Sequence, residues 1–174
     1  MHPQACEIAI EMWKPVLQIM KTPEKNEIQA PSRKEMVALL NEDLAREYQA
    51  VIAYTVYSQT IKGGEYTDIA RELEVHAAEE LAHALKIAKQ IDYFSGEPVT
   101  VPLKVKMSDK AEDMLRFDLE NEKVTLQNYR LRIRQAEAMG EYALSEVLRQ
   151  IIVQEQEHLM DLADALGIDV PEVK

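Results

Sequence analysis

Cysteine, glycine and proline are scarce in this chain of 174 residues, and no long apolar run occurs in it. The single cysteine, Cys6, excludes an intramolecular disulfide framework, a cysteine-based zinc site, an iron–sulfur cluster and a rubredoxin-type module. The 5 glycines and 7 prolines leave long stretches without either residue, which favours long helices. The amino-terminal stretch MHPQACEIAIEMWKP lacks the basic segment of a signal peptide, and we expect a cytoplasmic protein without a membrane span.

The charge balance is strongly acidic, because 31 aspartate and glutamate residues outnumber 20 lysines and arginines and give a formal net charge of −11. A surface of this sign repels nucleic acid, and basic residues cluster only in short groups, so direct nucleic-acid binding is not expected. The same balance is compatible with the attraction of metal cations. Apolar residues make up 47% of the chain, which is enough for the core of one ordinary domain.

Four long helical patterns follow one another after the first 31 residues. Ser32 predicts the start of the first helix, because Glu35 three residues later completes a capping box. Ser108 is expected to cap the third helix. Glycines near the carboxyl ends of the patterns mark where the helices stop. The predicted helices cover residues 32–63, 66–95, 108–139 and 141–166.

The connection between the second and third predicted helices, residues 97–107, has a different pattern. Val99, Val101, Leu103 and Val105 alternate with polar residues or proline, and this period of two suits an extended strip. Eleven extended residues reach about 36 Å, most of the length of a helix, whereas an antiparallel neighbour needs only a few residues. The sequence therefore predicts an all-α four-helix bundle in which this connection crosses over and the second and third helices are parallel.

The domain organisation follows from the same patterns. Residues 1–31 are predicted to form an amino-terminal helical extension, interrupted at Pro15, and a polar connector. Residues 32–167 form the predicted bundle, and residues 168–174 a short carboxyl-terminal tail. No second domain and no low-complexity tract is visible.

Each predicted helix carries one glutamate on its apolar stripe near mid-length, and the second and fourth helices add a histidine three residues later on the same face. The two glutamates of each half are 33 residues apart, which indicates an internal duplication of a helix pair. The six residues are Glu47, Glu80, His83, Glu122, Glu155 and His158. Each half also repeats a tyrosine and an aspartate at fixed distances from its first glutamate, namely Tyr54, Tyr129, Asp43 and Asp118.

Burying four carboxylates is unfavourable unless their charge is neutralised by protons or by cations. Two divalent ions balance four carboxylates, and two neutral imidazoles complete the coordination without changing that sum. A single glutamate on such a stripe is ordinarily a flank residue with a partner of its own. Four of them at equal spacing, with two histidines, favour a carboxylate-bridged dimetal site inside a four-helix bundle.

Other polar residues near this pattern have alternative interpretations. His76 lies about 10 Å along the helix from the second-helix histidine, too far for the same metal pair, and is predicted to be a neighbour of the site or a core residue. The two tyrosines are core aromatics or neighbours of the site. Asp43 and Asp118 either accept the outer ring N–H groups of the histidines or lie on solvated faces. Glu79 and Glu157 are expected to point to other faces.

Four stretches of the chain carry a family resemblance. LLNEDLAREYQAVIAY contains Glu47, AEELAHA contains Glu80 and His83, DLENEKVTL contains Glu122, and VQEQEHLMDL contains Glu155 and His158. With these stretches the chain resembles the ferritin-like superfamily, and most closely its bacterioferritin and Dps-like branch, over residues 36–166. The resemblance implies Glu80 and Glu155 as bridging carboxylates of two irons. It implies Glu47 with His83, and Glu122 with His158, as their terminal ligands.

The sequence also departs from that family in ways that affect cofactor and assembly. Bacterioferritins place a haem-ligating methionine directly after the second-helix glutamate, where this chain has Leu81, so haem by that route is not expected. Only 16 residues follow His158, too few for the fifth helix of the 24-subunit cages. We expect a homo-oligomer, with a dodecameric cage favoured and a dimer as the alternative. The cysteine pair of some Dps-like proteins is not present.

The function implied by the resemblance is that of a ferroxidase. Such a protein oxidises Fe(II) with O2 or H2O2 for iron storage, detoxification and protection against oxidative stress. Glutamate and histidine ligands accept manganese as well as iron, so a non-storing dimanganese or diiron catalase, peroxidase or oxidase is the alternative. A structural or DNA-protecting bundle with a vestigial site is a third hypothesis, which the net charge and the complete set of six residues oppose.

Overall fold

A computed structural model describes residues 28–173, and four long helices account for most of them. They are α1 (Arg33–Thr60), α2 (Thr67–Tyr93), α3 (Ala111–Ala138) and α4 (Tyr142–Ala165), with a short 3₁₀ turn (Gly64–Tyr66) before α2. Residues 28–173 contain no β-strand. The predicted all-α four-helix bundle is confirmed, while the predicted amino-terminal helical extension, up to residue 27, lies outside the described residues.

The two predicted serine caps have different outcomes. Ser32 caps α1 as expected, because its hydroxyl oxygen accepts from the Glu35 N–H at 3.3 Å and its own N–H donates to the Glu35 carboxylate at 2.8 Å. The predicted cap at Ser108 is wrong, since α3 begins after Lys110. The Ser108 hydroxyl accepts from the Lys110 N–H at 3.1 Å and donates to Asp113 at 2.9 Å. The Ser108 side chain therefore stabilises the turn that precedes α3 and does not cap a backbone N–H group of the helix.

The crossover between α2 and α3 lies along α1 in an extended conformation. The Leu103 N–H donates to the Ala45 carbonyl at 3.0 Å, and the Gln49 amide donates to the Lys104 carbonyl at 2.7 Å. Further bonds join the crossover to one stripe of α1, from Asn41 near its start to Tyr57 near its end. The chain thus returns to the end of the bundle where α1 stops and α2 starts, so α2 and α3 are parallel, as predicted.

The helices pack as two antiparallel hairpins, α1 with α2 and α3 with α4. Across the bundle α1 faces α3, and α2 faces α4. Two apolar clusters fill the interior, one around Leu44, Ile87 and Leu148, and the other around Leu73 and Leu115. Buried polar residues lie between these clusters. Within residues 28–173, no helix has an apolar stretch long enough to cross a bilayer.

Candidate metal centre

The six predicted site residues lie in one buried cluster near the middle of the bundle. Each of them is at most 2% exposed: Glu47, Glu80, His83, Glu122, Glu155 and His158. A spacing of three residues brings the glutamate and the histidine of α2, and likewise those of α4, onto one helix face. All four helices turn the face that carries their glutamate towards the middle of the bundle, at the same level. The structure therefore brings the six residues together.

One group of ligand atoms surrounds the His83 side of the cluster. The His83 Nδ1 atom lies 3.5 Å from Glu47 Oε2, 3.2 Å from Glu80 Oε2 and 3.0 Å from Glu155 Oε1. One ligand atom from each of these four residues lies within 4.8 Å of the others. This is the spacing that a single bound metal ion requires.

A second group surrounds His158 and shares two members with the first. The His158 Nδ1 atom lies 3.0 Å from Glu80 Oε1 and 3.8 Å from Glu155 Oε2, and Glu122 completes the group. Glu80 and Glu155 therefore each turn one oxygen to His83 and the other to His158. A carboxylate in this position is able to join two metal ions.

Several ligand atoms of the cluster have no hydrogen-bond partner although they are buried. An unsatisfied buried polar atom costs about 1–3 kcal/mol, so several of them in one place call for an explanation. A pair of cations would satisfy them all at once, and in this respect the residues fit a dimetal site. The atoms are Glu47 Oε2, Glu80 Oε1, Glu122 Oε2, both carboxylate oxygens of Glu155, and His158 Nδ1.

In the metal-free protein, bound protons reduce the negative charge of the four glutamates. Burial, together with repulsion from neighbouring carboxylates, raises the pKa values of Glu47 and Glu122 well above the usual range. Burial alone would lower the pKa values of the histidines, but the adjacent carboxylates outweigh it, raising the pKa of His83 and bringing that of His158 to about 9. Close contacts of its two carboxylate oxygens with the His158 and His83 rings outweigh burial at Glu80 and lower its pKa. Metal binding must therefore displace protons.

Two buried tyrosines hold the outer glutamates of the cluster. The Tyr54 hydroxyl of α1 donates to Glu122 of α3, and the Tyr129 hydroxyl of α3 donates to Glu47 of α1. Burial and the nearby carboxylates raise the pKa values of both tyrosines, so the phenols keep their protons and act as donors. Both interpretations of these tyrosines are therefore correct, because their rings belong to the apolar clusters while their hydroxyls contact the site.

The outer ring nitrogens of the two histidines bind residues that the sequence analysis did not select. His83 Nε2 lies 3.0 Å from the amide oxygen of Gln154, and His158 Nε2 lies 2.9 Å from the carboxylate of Glu79. The Gln154 amide also donates to Glu79 at 2.8 Å. Each of these residues directly precedes a glutamate of the cluster in the sequence. That adjacency was an available signal, but it becomes informative only once α2 and α4 are known to be neighbours.

The interpretation of Asp43 and Asp118 as partners of the histidines is wrong. Asp43 accepts two hydrogen bonds from the guanidinium of Arg132, at 2.7 and 3.1 Å. Asp118 is 2% exposed, and burial raises its pKa well above the usual range. Both aspartates are buried, so neither lies on a solvated face, and the Nε2 atoms of His83 and His158 contact Gln154 and Glu79 instead.

His76 lies beside the cluster, as its spacing predicted. Its ring centroid is 4.1 Å from that of His158, and it belongs to neither group of ligand atoms described above. Burial is the main reason why its pKa is lowered to about 4, which leaves the ring neutral near pH 7.

Comparisons with known proteins identify the family to which the fold belongs. Residues 37–169 match the model of the ferritin-like domain family. A ferritin-like diiron-carboxylate protein from Bacillus anthracis is 33% identical, with 77% of this chain and 96% of that chain covered and a TM-score of 0.74. A dodecameric thioferritin from Bacteroides fragilis, described as bacterioferritin-related, shares the fold at 24% identity, 79% and 88% coverage and a TM-score of 0.73. The bacterioferritin of Desulfovibrio desulfuricans is 25% identical over 126 residues, which are 72% of this chain and 70% of that protein. The chain therefore belongs to the ferritin-like family, and its relatives within that family include the bacterioferritins.

Proposed function

We propose that the protein is a ferroxidase, which binds two Fe(II) ions at the buried cluster and oxidises them with O2 or H2O2. The observation that carries the proposal is the pair of ligand groups that share Glu80 and Glu155, each of which offers one oxygen to each histidine. In this assignment Glu47 and His83 would hold one iron, and Glu122 and His158 would hold the other. Glu80 and Glu155 would serve both.

The residues of the chain hold the ligands in place and manage protons. A ferrous pair supplies one electron from each ion, so that O2 and two protons give H2O2 without release of a one-electron oxygen species. Tyr54 and Tyr129 restrain the outer glutamates by donating to the oxygen that faces away from the centre. Glu79 and Gln154 fix the histidine rings so that Nδ1 faces the glutamates. The surrounding apolar clusters exclude bulk water.

A small cavity adjoins the cluster on the side of α1 and α3 and offers a place for a small oxidant. It has room for about one water molecule, with a volume of about 10 Å³, and reaches all four glutamates of the cluster. Gln49 and Thr125 are among its lining residues. The histidines do not line it, so a small oxidant arriving there meets the carboxylate side of the centre.

A double substitution in α2 tests the oxidase activity. Glu80→Ala with His83→Ala removes one shared ligand and one terminal ligand, and we expect Fe(II) oxidation to fall to the protein-free rate. Glu157→Ala is the matched control, because this exposed glutamate lies next to His158 in the sequence but turns to solvent. Its Fe(II) oxidation should equal that of the unchanged protein. Undiminished oxidation by the double variant would refute the assignment.

Iron storage and assembly form the second part of the proposal. We infer a homo-oligomer, and favour a twelve-subunit cage because the related thioferritin from Bacteroides fragilis is described as dodecameric. Twelve chains of 19.9 kDa give a particle of about 240 kDa, which light scattering distinguishes from a dimer. Many irons per subunit in such a particle would support storage and detoxification. A dimer that holds two metals per chain would exclude storage.

The identity of the metal needs a separate measurement, because glutamate and histidine ligands accept both iron and manganese. Anomalous scattering at the two absorption edges, on crystals of protein as purified, distinguishes them. Iron supports the ferroxidase assignment. Manganese at both positions would favour a non-storing catalase instead.

A further inference from the structure

A third group of metal-ligating side chains lies outside the buried centre. It consists of Glu72 and His76 on α2 and Asp161 on α4. His76 Nε2 lies 3.2 Å from Asp161 Oδ2 and 3.8 Å from Glu72 Oε1. The two carboxylate side chains are about half exposed, at 48% and 45%, while the histidine side chain is 2% exposed. The group thus joins the interior of the bundle to solvent.

The spacing of these atoms suits a single metal ion. With metal–ligand bonds of about 2.1 Å, adjacent ligand atoms lie about 3.0 Å apart in octahedral geometry and about 3.4 Å apart in tetrahedral geometry. The separations around Nε2 are close to these values, so small movements of two half-exposed side chains would close the site. One imidazole and two carboxylates leave room for water to complete the coordination.

The histidine of this group is buried, and its ring nitrogen on the core side has no hydrogen-bond partner. His76 is 1% exposed, and its Nδ1 atom has no hydrogen-bond partner. Its ring lies against His158, and Nε2 is its only ring atom that contacts a carboxylate on the solvent side. In the metal-free protein the Nε2–H group donates to the Asp161 carboxylate at 3.2 Å. A cation bound at Nε2 takes the place of that proton, and the ring then carries its proton on Nδ1.

The surface in front of the histidine concentrates negative charge. A recess of about 540 Å³ opens between α2 and α4, and five of its seven lining residues are carboxylates. A concave surface lined by charges of one sign raises the local concentration of cations. Besides Glu72 and Asp161, the carboxylates of the recess are Glu65, Asp68 and Asp164.

We propose that Glu72, His76 and Asp161 form a third metal site, which takes one divalent transition-metal ion from solvent. The site adjoins the buried centre, because the His76 and His158 ring centroids are only 4.1 Å apart. It lies on the α2–α4 side, away from the small cavity between α1 and α3. The third site loads the buried centre with metal. That loading role rests on the proposed ferroxidase function, whereas the binding itself does not.

Metal counting tests the site without any oxidation chemistry. Metal-free protein is titrated with Mn²⁺ under argon, and free Mn²⁺ is followed by electron paramagnetic resonance. We expect three equivalents per chain for the unchanged protein and two for Glu72→Gln with Asp161→Asn. The matched control is Glu65→Gln with Asp164→Asn, which removes the same charge from the same recess and should retain three equivalents.

A second background separates this site from the buried pair. In protein carrying Glu80→Ala and His83→Ala, an Mn²⁺ equivalent that disappears on adding Glu72→Gln and Asp161→Asn supports the third site even if the ferroxidase proposal fails. In Mn²⁺-soaked crystals, an anomalous peak among the three side chains is the expected result. Its absence, or a third equivalent that survives Glu72→Gln with Asp161→Asn, overturns the site.

The loading role has its own readout in the kinetics of Fe(II) oxidation. Glu72→Gln with Asp161→Asn should raise the half-saturating Fe(II) concentration several-fold and leave the maximal rate unchanged, because the buried centre stays intact. An unchanged half-saturating concentration would overturn the loading role.

Discussion

The two helical hairpins carry the same central residues at a constant sequence offset, but they differ in what surrounds those residues. The hydroxyl of each tyrosine donates to the glutamate of the opposite hairpin, so even these bonds are exchanged symmetrically. The corresponding pairs are Glu47 with Glu122, Tyr54 with Tyr129, Glu80 with Glu155, and His83 with His158. The residues of the cluster are thus the same in both hairpins. The hairpins differ in the residues that contact the cluster from outside.

The first difference concerns the outer partners of the two histidines. Glu79 and Gln154 hold corresponding positions, directly before the two shared glutamates. His158 therefore faces a carboxylate, while His83 faces an amide oxygen. A carboxylate acceptor raises the basicity of an imidazole more than an amide does, and so strengthens it as a ligand. The hairpins should hold their metals unequally, with the tighter position at His158.

The second difference concerns the two buried aspartates. Asp43 forms a buried ion pair with Arg132, whereas Tyr57 occupies the corresponding position in the first hairpin. The Tyr57 hydroxyl donates to the Lys106 carbonyl of the crossover instead. Asp118 consequently has no arginine partner, and burial raises its pKa. One side of the centre contains an ion pair, and the other a carboxyl group that keeps its proton more readily.

Removing a glutamate that belongs to both ligand groups should have the largest effect. Glu80→Gln preserves volume but takes a carboxylate oxygen from both ligand groups. We expect the affinity for both metals to fall by more than about 100-fold, beyond the 10–100-fold loss typical of outer partners. Glu47→Gln and Glu122→Gln should each weaken one metal only. Anaerobic Fe(II) titration measures this, and loss of a single metal from the Glu80 variant would contradict the shared role.

The buried ion pair between Asp43 of one hairpin and Arg132 of the other gives the next largest effect. Arg132→Met leaves Asp43 buried without its cation, and we expect the free energy of unfolding to fall by about 3–5 kcal/mol. Chemical denaturation of the metal-free protein measures the loss. Asp43→Asn combined with Arg132→Met should recover most of it, because no unpaired charge remains. If Arg132→Met lowered the free energy of unfolding by less than about 1 kcal/mol, burial of Asp43 would not depend on its ion pair with Arg132.

The pH dependence of the metal-free protein follows from the raised pKa of His158. Its folded value of about 9 exceeds the usual 6.5, so its contribution is complete below pH 6.5 and is lost as pH rises through 9. The loss amounts to about 3 kcal/mol. The raised pKa values of Glu47 and Glu122 act in the same direction. Calorimetry between pH 6.5 and 9 should show a falling melting temperature, and a rising one would contradict this account.

Sequence reasoning could predict the elements and the innermost residues, because both depend on spacing within single helices. The apolar stripes predict the four helices, and the 33-residue repeat selects the six residues that the structure brings together. The eleven-residue strip also indicated the direction of the crossover. Each of these conclusions needs only helix geometry and chain length.

The outer partners could not be predicted, because they depend on which helices are neighbours. Glu79 lies on another face of α2, as predicted, but that face meets α4 at Gln154 and His158. Asp43 lies one turn from Glu47, which suggests a role beside the histidines, whereas its partner Arg132 belongs to a helix across the bundle. A single-helix pattern gives the face of a residue but not the helix opposite it.

Exchanging the outer partners tests the inequality of the two hairpins directly, with the smallest expected effect. Glu79→Gln should weaken only the metal at His158, by about 10–100-fold or about 1.4–2.7 kcal/mol, because an amide replaces the carboxylate acceptor. Gln154→Glu should strengthen the metal at His83. Each single change makes the outer partners alike, so two-step Zn²⁺ titrations should merge towards one step. The double exchange should restore two steps with the preference reversed, whereas two steps in the original order would show that the inequality arises elsewhere.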